Sequence, residues 1–369
     1  MRVSNVINVL ESMAPLRLAA EWDNVGLLIG DVDTVVRKLM FCIDLTDDVL
    51  AEAKAVKAQM VMAYHPPIFK PISRLTSTTE ATVYQAARSG LAVYSMHTAL
   101  DSAEGGTNDV LANVMGLKSA RPLEPASRTG ECKVVTFVPP ADLAGVAEAA
   151  FAAGAGRIGN YLDCAFFTQG VGMFMGGEGS RPAIGVAGEH EVTDEVRLEI
   201  FCPTTRVGDV TKAISTVHRY EQPVIDVYRL ADLPEGCGLG RVGRLARPTS
   251  EQALIARIKK ALGVRRISVA AGQPAGRVTR KVTTAACCAG SCGDLFRAAV
   301  AGGATFYLTG EMRHHDALTA AAAGMTVACV GHSNSERMVL PHLAKRVGKA
   351  LPRLTTVVAK TDRNLFAIV

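Results

Sequence analysis

The pattern that most narrows the fold is an alternation of short apolar runs with helical stretches, present at both ends of the chain and broken in the middle by a different texture. Residues 1 to about 125 contain LMFCID (39–44), TDDVLAEAKAVKA, MVMAY (60–64), STTEATVYQAARSG and LAVYSM (91–96), which read as strand, helix, strand, helix, strand. Thr46 and either Ser77 or Thr78 suit N-caps, and Gly90 suits a C-cap. From about 240 the alternation resumes with RRISVAA, VTTAACC, a helix opened by Asp294, TFYLTG, a helix after Glu311, MTVACVGH, a helix over about 335–348 and a last strand LFAIV. Such alternation predicts an α/β fold with a mostly parallel sheet core and helices on both faces. Between roughly 130 and 232 the order is instead β-α-β-β-α-β, from VVTFV through a helix at 140–153, CAFFTQ, VGMFM, RLEIFC and VGDVTKAISTVHR to PVIDVYRL. That order predicts a ferredoxin-like α+β insert. Residues 1–125 and 237–369 then form one discontinuous domain and 130–232 a passenger.

Composition sets limits on what such a chain binds. Among 369 residues, 40 Lys plus Arg against 35 Asp plus Glu leave a net charge of +5, weak beside the basic patches of phosphate-backbone binders, so nucleic acid is not the expected partner. At 49% hydrophobic residues the chain has the material for real cores, which excludes disorder as its main state. Charged residues and glycines interrupt every apolar run before the roughly 18 residues a spanning helix requires, so no membrane segment is expected. The opening MRVSNVINVLESMAP reads as an amphipathic helix rather than a secretory signal. Nine cysteines, an odd number set mostly in apolar runs, read as free thiols of a cytoplasmic protein. Cys287, Cys288 and Cys292 lack the paired spacing of a structural zinc site. GLGRVG (238–243) satisfies G-x-G-x-x-G but continues as a strand rather than a helix, which marks a domain junction and not a dinucleotide site.

The histidines carry the functional signal. Five of the eight gather at the ends of predicted strands in the first and third segments, where open α/β sheets build their sites. His65 ends MVMAY and precedes Pro66 and Pro67; His97 follows LAVYS and precedes Asp101 by four residues. His332 ends MTVACVGH, four residues before Glu336, and Glu311, His314, His315 and Asp316 follow TFYLTG. Strand ends that each deliver histidine with a carboxylate are improbable as packing, because buried charges must be paired or bind metal. Bridging carboxylates and terminal imidazoles suit two adjacent divalent ions better than one structural zinc.

Read as ordered words, EWDNVGLLIGD (21–31), YHPPIFKPISRLT (64–76), HTALDSAEGGTNDVLA (97–112), GLGRVG, TGEMRHHDAL (309–318) and GHSNSER (331–337) resemble the GTP cyclohydrolase 1 type 2 homologues, the NGG-interacting-factor-three-like dinuclear metal proteins. The insert is similar to the PII-like, or CutA-like, domain of the longer bacterial members. The resemblance implies two divalent ions (Zn, Fe, Mn or Ni) in a cleft and a homo-hexamer built as a trimer of dimers. It places His65, Asp101, His332 and Glu336 on the family's metal ligands. Where many members have a histidine before the His-Pro pair, this chain has Tyr64, which could ligate through its phenol or leave the second ion to His97 or water.

The function expected on this basis is that of a metal-dependent hydrolase acting on a small molecule. Glu336 is the bridge, His65 and His332 hold one ion each, and His315 or His97 serves as general acid or as orienting residue, with Glu104 and Glu311 as weaker candidates. The alternative is a non-catalytic, metal-stabilised regulatory or scaffold protein acting through partner binding. Ala289, Gly290, Ser291 and Gly293 before Asp294 could offer backbone N–H groups to an anion, or could simply form a tight turn.

Overall fold

The computed structural model describes residues 1–126, 131–158, 161–230, 236–272, 280–292 and 294–366. The chain divides into two compact units, Met1–Ala126 with Pro234–Val369, and Ser127–Leu233. In the first unit the opening strands are β1 (Gly26–Ile29), β2 (Lys38–Cys42), β3 (Met60–Ala63), β4 (Ala92–Ser95), β5 (Leu117–Arg121) and β6 (Glu124–Pro125). The second unit holds β7 (Glu131–Val138), β8 (Ala165–Met175), β9 (His190–Pro203) and β10 (Ile225–Arg229). The first unit then resumes with β11 (Gly238–Leu239), β12 (Arg241–Ser250), β13 (Ser268–Ala270), β14 (Lys281–Ser291), β15 (Phe306–Glu311), β16 (Thr326–Cys329) and β17 (Thr355–Val358).

One sheet of the first unit runs β1-β4-β3-β2-β17, and another runs β13-β16-β15-β14-β12-β5. Each has a parallel centre: β17, β2, β3 and β4 in one, and β14, β15 and β16 in the other. Their margins are antiparallel, through β1 on β4, β13 on β16, and β12 between β14 and β5. The sheets are therefore mixed rather than mostly parallel, which corrects the expectation. Short edge strands such as β1 carry too few residues to announce their direction, whereas buried central strands show as unbroken apolar runs. The last strand is Thr355–Val358 rather than LFAIV; Leu365 and Phe366 are exposed outside any strand, and residues 367–369 lie outside the described residues.

The strands bury both faces because their side chains alternate. Leu39, Phe41, Met60 and Met62 pack against the helices Val3–Met13 and Val339–Ala350. Met40, Cys42, Val61 and Ala63 face the helices Asp47–Ala55 and Ala81–Arg88. Thr46 caps the first of these, its hydroxyl accepting from the Val49 N–H at 3.3 Å. Glu80, not Ser77 or Thr78, occupies the N-cap of the second.

At the junction, GLGRVG surrounds a buried cation. Arg241 is 1% exposed and donates to both carboxylate oxygens of Asp109 and to the carbonyls of Ala103, Gly236, Gly238 and Gly240. In the second unit the sheet order is β10-β7-β9-β8, antiparallel throughout, with the helices Leu143–Ala152 and Val207–Val217 packed on one face. The outermost strand, β8, leaves Phe166, Phe167, Val171, Met173 and Met175 exposed.

Candidate metal centre

The parallel blocks of the first unit explain where the histidines fall. Asp44, His65 and His97 each lie two residues past the C-terminal ends of β2, β3 and β4, the side on which open α/β sheets hold ligands. Glu311 ends β15, and His332 follows β16 at the start of the short helix His332–Glu336. Four residues of helix carry Glu336 onto the same face as His332. The result is a cleft of about 1000 Å³ lined by Asp44, His65, His97, Asp101, His332 and Glu336, with Trp22, Phe69 and the Cys288–Cys292 segment around them.

His65, His332 and Glu336 can each offer one ligand atom within 4.8 Å of the others. The Glu336 carboxylate, 2% exposed, lies between the two rings, with Oε1 3.2 Å from His332 Nε2 and Oε2 3.4 Å from His65 Nε2. Its Oε2 is buried and accepts no hydrogen bond. An orphaned carboxylate oxygen beside two imidazoles fits a divalent cation, because a buried charge without a partner is costly.

Both rings are held from behind. Asp44 Oδ1 sits 2.9 Å from His65 Nδ1, and Glu311 Oε1 sits 2.9 Å from His332 Nδ1. A third carboxylate, that of Asp23, has Oδ1 2.8 Å from His97 Nδ1, while its Oδ2 accepts from the Thr98 N–H at 3.1 Å. In each case a carboxylate at Nδ1 turns Nε2 outward, the arrangement that orients metal-ligating histidines. His97 stacks edge-on to His65, with ring centroids 5.2 Å apart, and its φ of +28° is a left-handed conformation that a bulky residue holds only when its surroundings impose it.

Tyr64 is fully buried, and its hydroxyl hydrogen-bonds Asp101 and lies 3.3 Å from the Thr107 hydroxyl. Burial, with the charges of Asp101 and Glu336, pushes its pKa well above the ordinary value, so the neutral phenol serves Asp101. Burial and the Glu336 charge raise Asp101 to about 6. His315 opens the helix His314–Ala322, exposed with its neighbour His314 and outside the cleft lining. Glu104 is exposed and lines a separate pocket beside Gly236. The expected glycine-rich turn is instead the end of β14, where the Ala289 N–H is taken by Asn108 at 2.9 Å and the Gly290 N–H by Ser335 at 2.8 Å; Gly293 lies outside the described residues. Cys288 and Cys292, expected as thiols, are joined in a disulfide; the other described cysteines are free.

Burial disfavours the His65 imidazolium, but its hydrogen bond to Asp44 and the Glu336 carboxylate 3.4 Å away outweigh it and raise the pKa to about 10. The Glu336 hydrogen bond, against burial, raises His332 to about 9. Burial also opposes the Glu336 charge, yet both histidines together hold its pKa below the ordinary value. Both imidazoles thus bind their protons more tightly in the folded chain. Their stabilisation is complete below the unfolded value near 6.5 and is lost as pH rises through the folded values of about 9 and about 10. In chelator, the urea midpoint is expected to fall from pH 7 to pH 10; a midpoint that rises over that window refutes the pairing.

A Mycobacterium tuberculosis protein described as a GTP cyclohydrolase 1 type 2 homolog is 35% identical over 324 residues, covering 86% of this chain and 83% of the relative. A Bacillus subtilis protein of the same description is 31% identical over 366 residues, covering 98% and 97%. The crystal structure of a Bacillus cereus protein related to NIF3 superposes with a TM-score of 0.66 at 31% identity, covering 100% of this chain and 99% of that one. Among the described residues, no helix is long and apolar enough to cross a membrane. The family model of Duf34/NIF3 (NGG1p interacting factor 3) matches residues 1–364, and the chain belongs to that family.

Proposed function

We propose that the first unit is a divalent-metal-dependent hydrolase acting on a small molecule, with His65, His332 and Glu336 as the principal ligands. The observation that carries this reading is the buried, unpartnered Glu336 Oε2 between two imidazoles whose far nitrogens are fixed by carboxylates. A divalent ion held there supplies a Lewis acid and a water of lowered pKa. Asp101, hydrogen-bonded by Tyr64, lines the same cleft and would supply the protein donor for a second ion, shared with Glu336. In this arrangement Tyr64 positions Asp101 rather than ligating. His97, fixed by Asp23, is the residue placed to hold or pass a proton at Nε2.

The mouth of the cleft is apolar. Trp22, the chain's only tryptophan, is 64% exposed and meets Phe69 edge-to-face at 6.0 Å. Two exposed aromatic rings beside a charged centre suit a substrate with a planar ring, held by stacking while its hydrolysable bond reaches the histidines. The purine substrate implied by the relatives' description fits that requirement.

Metal counting and an assay panel of purine nucleotides and phosphoesters test the reading. Metal-loaded protein is expected to turn over a member of the panel and to lose that activity in His332→Ala, and binding of the planar substrate is expected to quench Trp22 fluorescence. Fewer than about one ion per chain under metal-replete conditions removes the assignment, because a closed His-His-Glu group should hold one.

A second reading rests on the other unit. Its β-α-β-β-α-β chain order and β10-β7-β9-β8 sheet support a ferredoxin-like, PII-like insert, and the exposed apolar residues of β8 suit contact between copies in a hexamer of a cytoplasmic protein. On that reading the metal stabilises a scaffold; metal binding without turnover across the panel favours it.

A further inference from the structure

Cys288 and Cys292 stand apart from the other cysteines. Their Cα atoms are 6.1 Å apart at the irregular end of β14, four positions apart in sequence, and both line the cleft that holds His65, His332 and Glu336. Every other described cysteine is free, including the adjacent Cys287, so the chain is not a disulfide-stapled scaffold. So short a loop also removes little freedom from the unfolded chain, and the bond adds little as a staple. Its position is more telling. Gly290, midway between them, has φ +70°, and a Cβ there would stand 2.9 Å from Glu336 Oε1 and 3.7 Å from His332 Nε2. The Gly290 N–H is held by Ser335, one residue before Glu336. The disulfide therefore ties the segment whose Gly290 lies so close to Glu336 that a side chain there would not fit.

We propose that Cys288 and Cys292 are a reversible modification site for low-molecular-weight thiols and disulfides, and that the state of this couple sets the affinity of the His65–His332–Glu336 group for its cation. The inference rests on the metal reading above. Cys288 is 3% exposed whereas Cys292 is half-buried, so an incoming thiolate attacks the Cys292 sulfur and Cys288 leaves as the thiolate, which takes up a proton. A second thiol then attacks the external sulfur of the mixed disulfide and frees Cys292. In sum, one protein disulfide and two small thiols give two protein thiols and one small disulfide, and oxidation is the reverse. The oxidised segment holds Gly290 against Glu336 and keeps the ligands in place; the reduced segment is released.

The test uses the full chain equilibrated across a series of reduced and oxidised glutathione ratios. Alkylation and peptide mass report the thiols at positions 288 and 292, and Mn2+, an ion with little preference for sulfur, reports the site. Reduction is expected to expose both thiols together and to weaken Mn2+ binding about tenfold, the low end of what removing a ligand's support costs. Cys292→Ser is expected to bind Mn2+ identically with and without reductant. The proposal is overturned if the pair stays in one state across the whole series, or if the wild-type Mn2+ affinity is the same in both states. Should neither state bind Mn2+, the cation reading itself falls, while the alkylation pattern still shows whether the couple exists.

Discussion

Glu336→Gln is expected to leave the fold intact and to weaken cation binding by more than the roughly 10–100-fold that follows loss of an orienting partner. The carboxylate is 2% exposed, and its oxygens lie 3.2 Å from His332 Nε2 and 3.4 Å from His65 Nε2. Of the other carboxylates at these two rings among the described residues, Asp44 and Glu311 are committed to the far nitrogens. An amide of the same shape keeps the packing but removes the charge that draws a cation into a buried site. The same change takes away the charge that helps raise both histidines, so the alkaline loss of stability in chelator should shrink as well. Glu311→Gln, which only loosens His332, should cost less. Calorimetric titration with a divalent ion separates the cases, and Glu336→Gln binding within about threefold of wild type would refute the ligand assignment.

Arg241→Met carries the largest expected cost to stability, about 3–5 kcal/mol for the unit that holds it, because one partner of a buried ion pair is removed and the other is left behind. The loss exceeds Asp109 alone: the carbonyls of Ala103, Gly236, Gly238 and Gly240 all accept from the same guanidinium. Lysine does not substitute, since an ammonium cannot reproduce the forked geometry. Denaturant unfolding of Arg241→Met and Arg241→Lys measures this, and changes below about 1 kcal/mol in both would show the network to be incidental. Paired with Asp109→Asn, a double-mutant cycle isolates the ion pair from the carbonyl contacts.

The parallel centres of both sheets were legible in LMFCID, MVMAY, LAVYSM and TFYLTG, because strands buried on both faces must be apolar throughout. The same logic located His65, His97 and His332, since loops at the C-terminal edge of such strands are where the helices leave room. Of the carboxylates behind them, Glu311 stood out as a candidate but not as the partner of His332, and Asp44 and Asp23 did not stand out. Asp44 ends its own apolar run and could have been placed beside His65 from adjacent parallel strands, but Asp23 lies 74 residues from His97 in a segment without periodicity. Proximity to Glu311 suggested His315 as a partner in the site. Both His315 and its neighbour His314 are exposed at the start of their helix and lie outside the cleft lining. Arg241 was hidden inside a glycine motif whose meaning depends on what folds around it. The spacing of Cys287, Cys288 and Cys292 was weighed only against a zinc site, and spacing alone does not show that Cys288 and Cys292 meet at the end of β14.

The interrupted unit has a cost in time. β2 receives β17 as its outer parallel neighbour, and the Ile43 N–H beside that edge is satisfied only by Asp362, 319 positions later in the chain. During synthesis the first half of the sheet must therefore wait, with an open apolar edge, until almost the whole polypeptide has emerged. Contacts of such long range close slowly and leave partly folded chains exposed to aggregation. The Ser127–Leu233 unit has its own core and contiguous sequence, so it can finish folding in the interval and shorten the flexible connection that must still close.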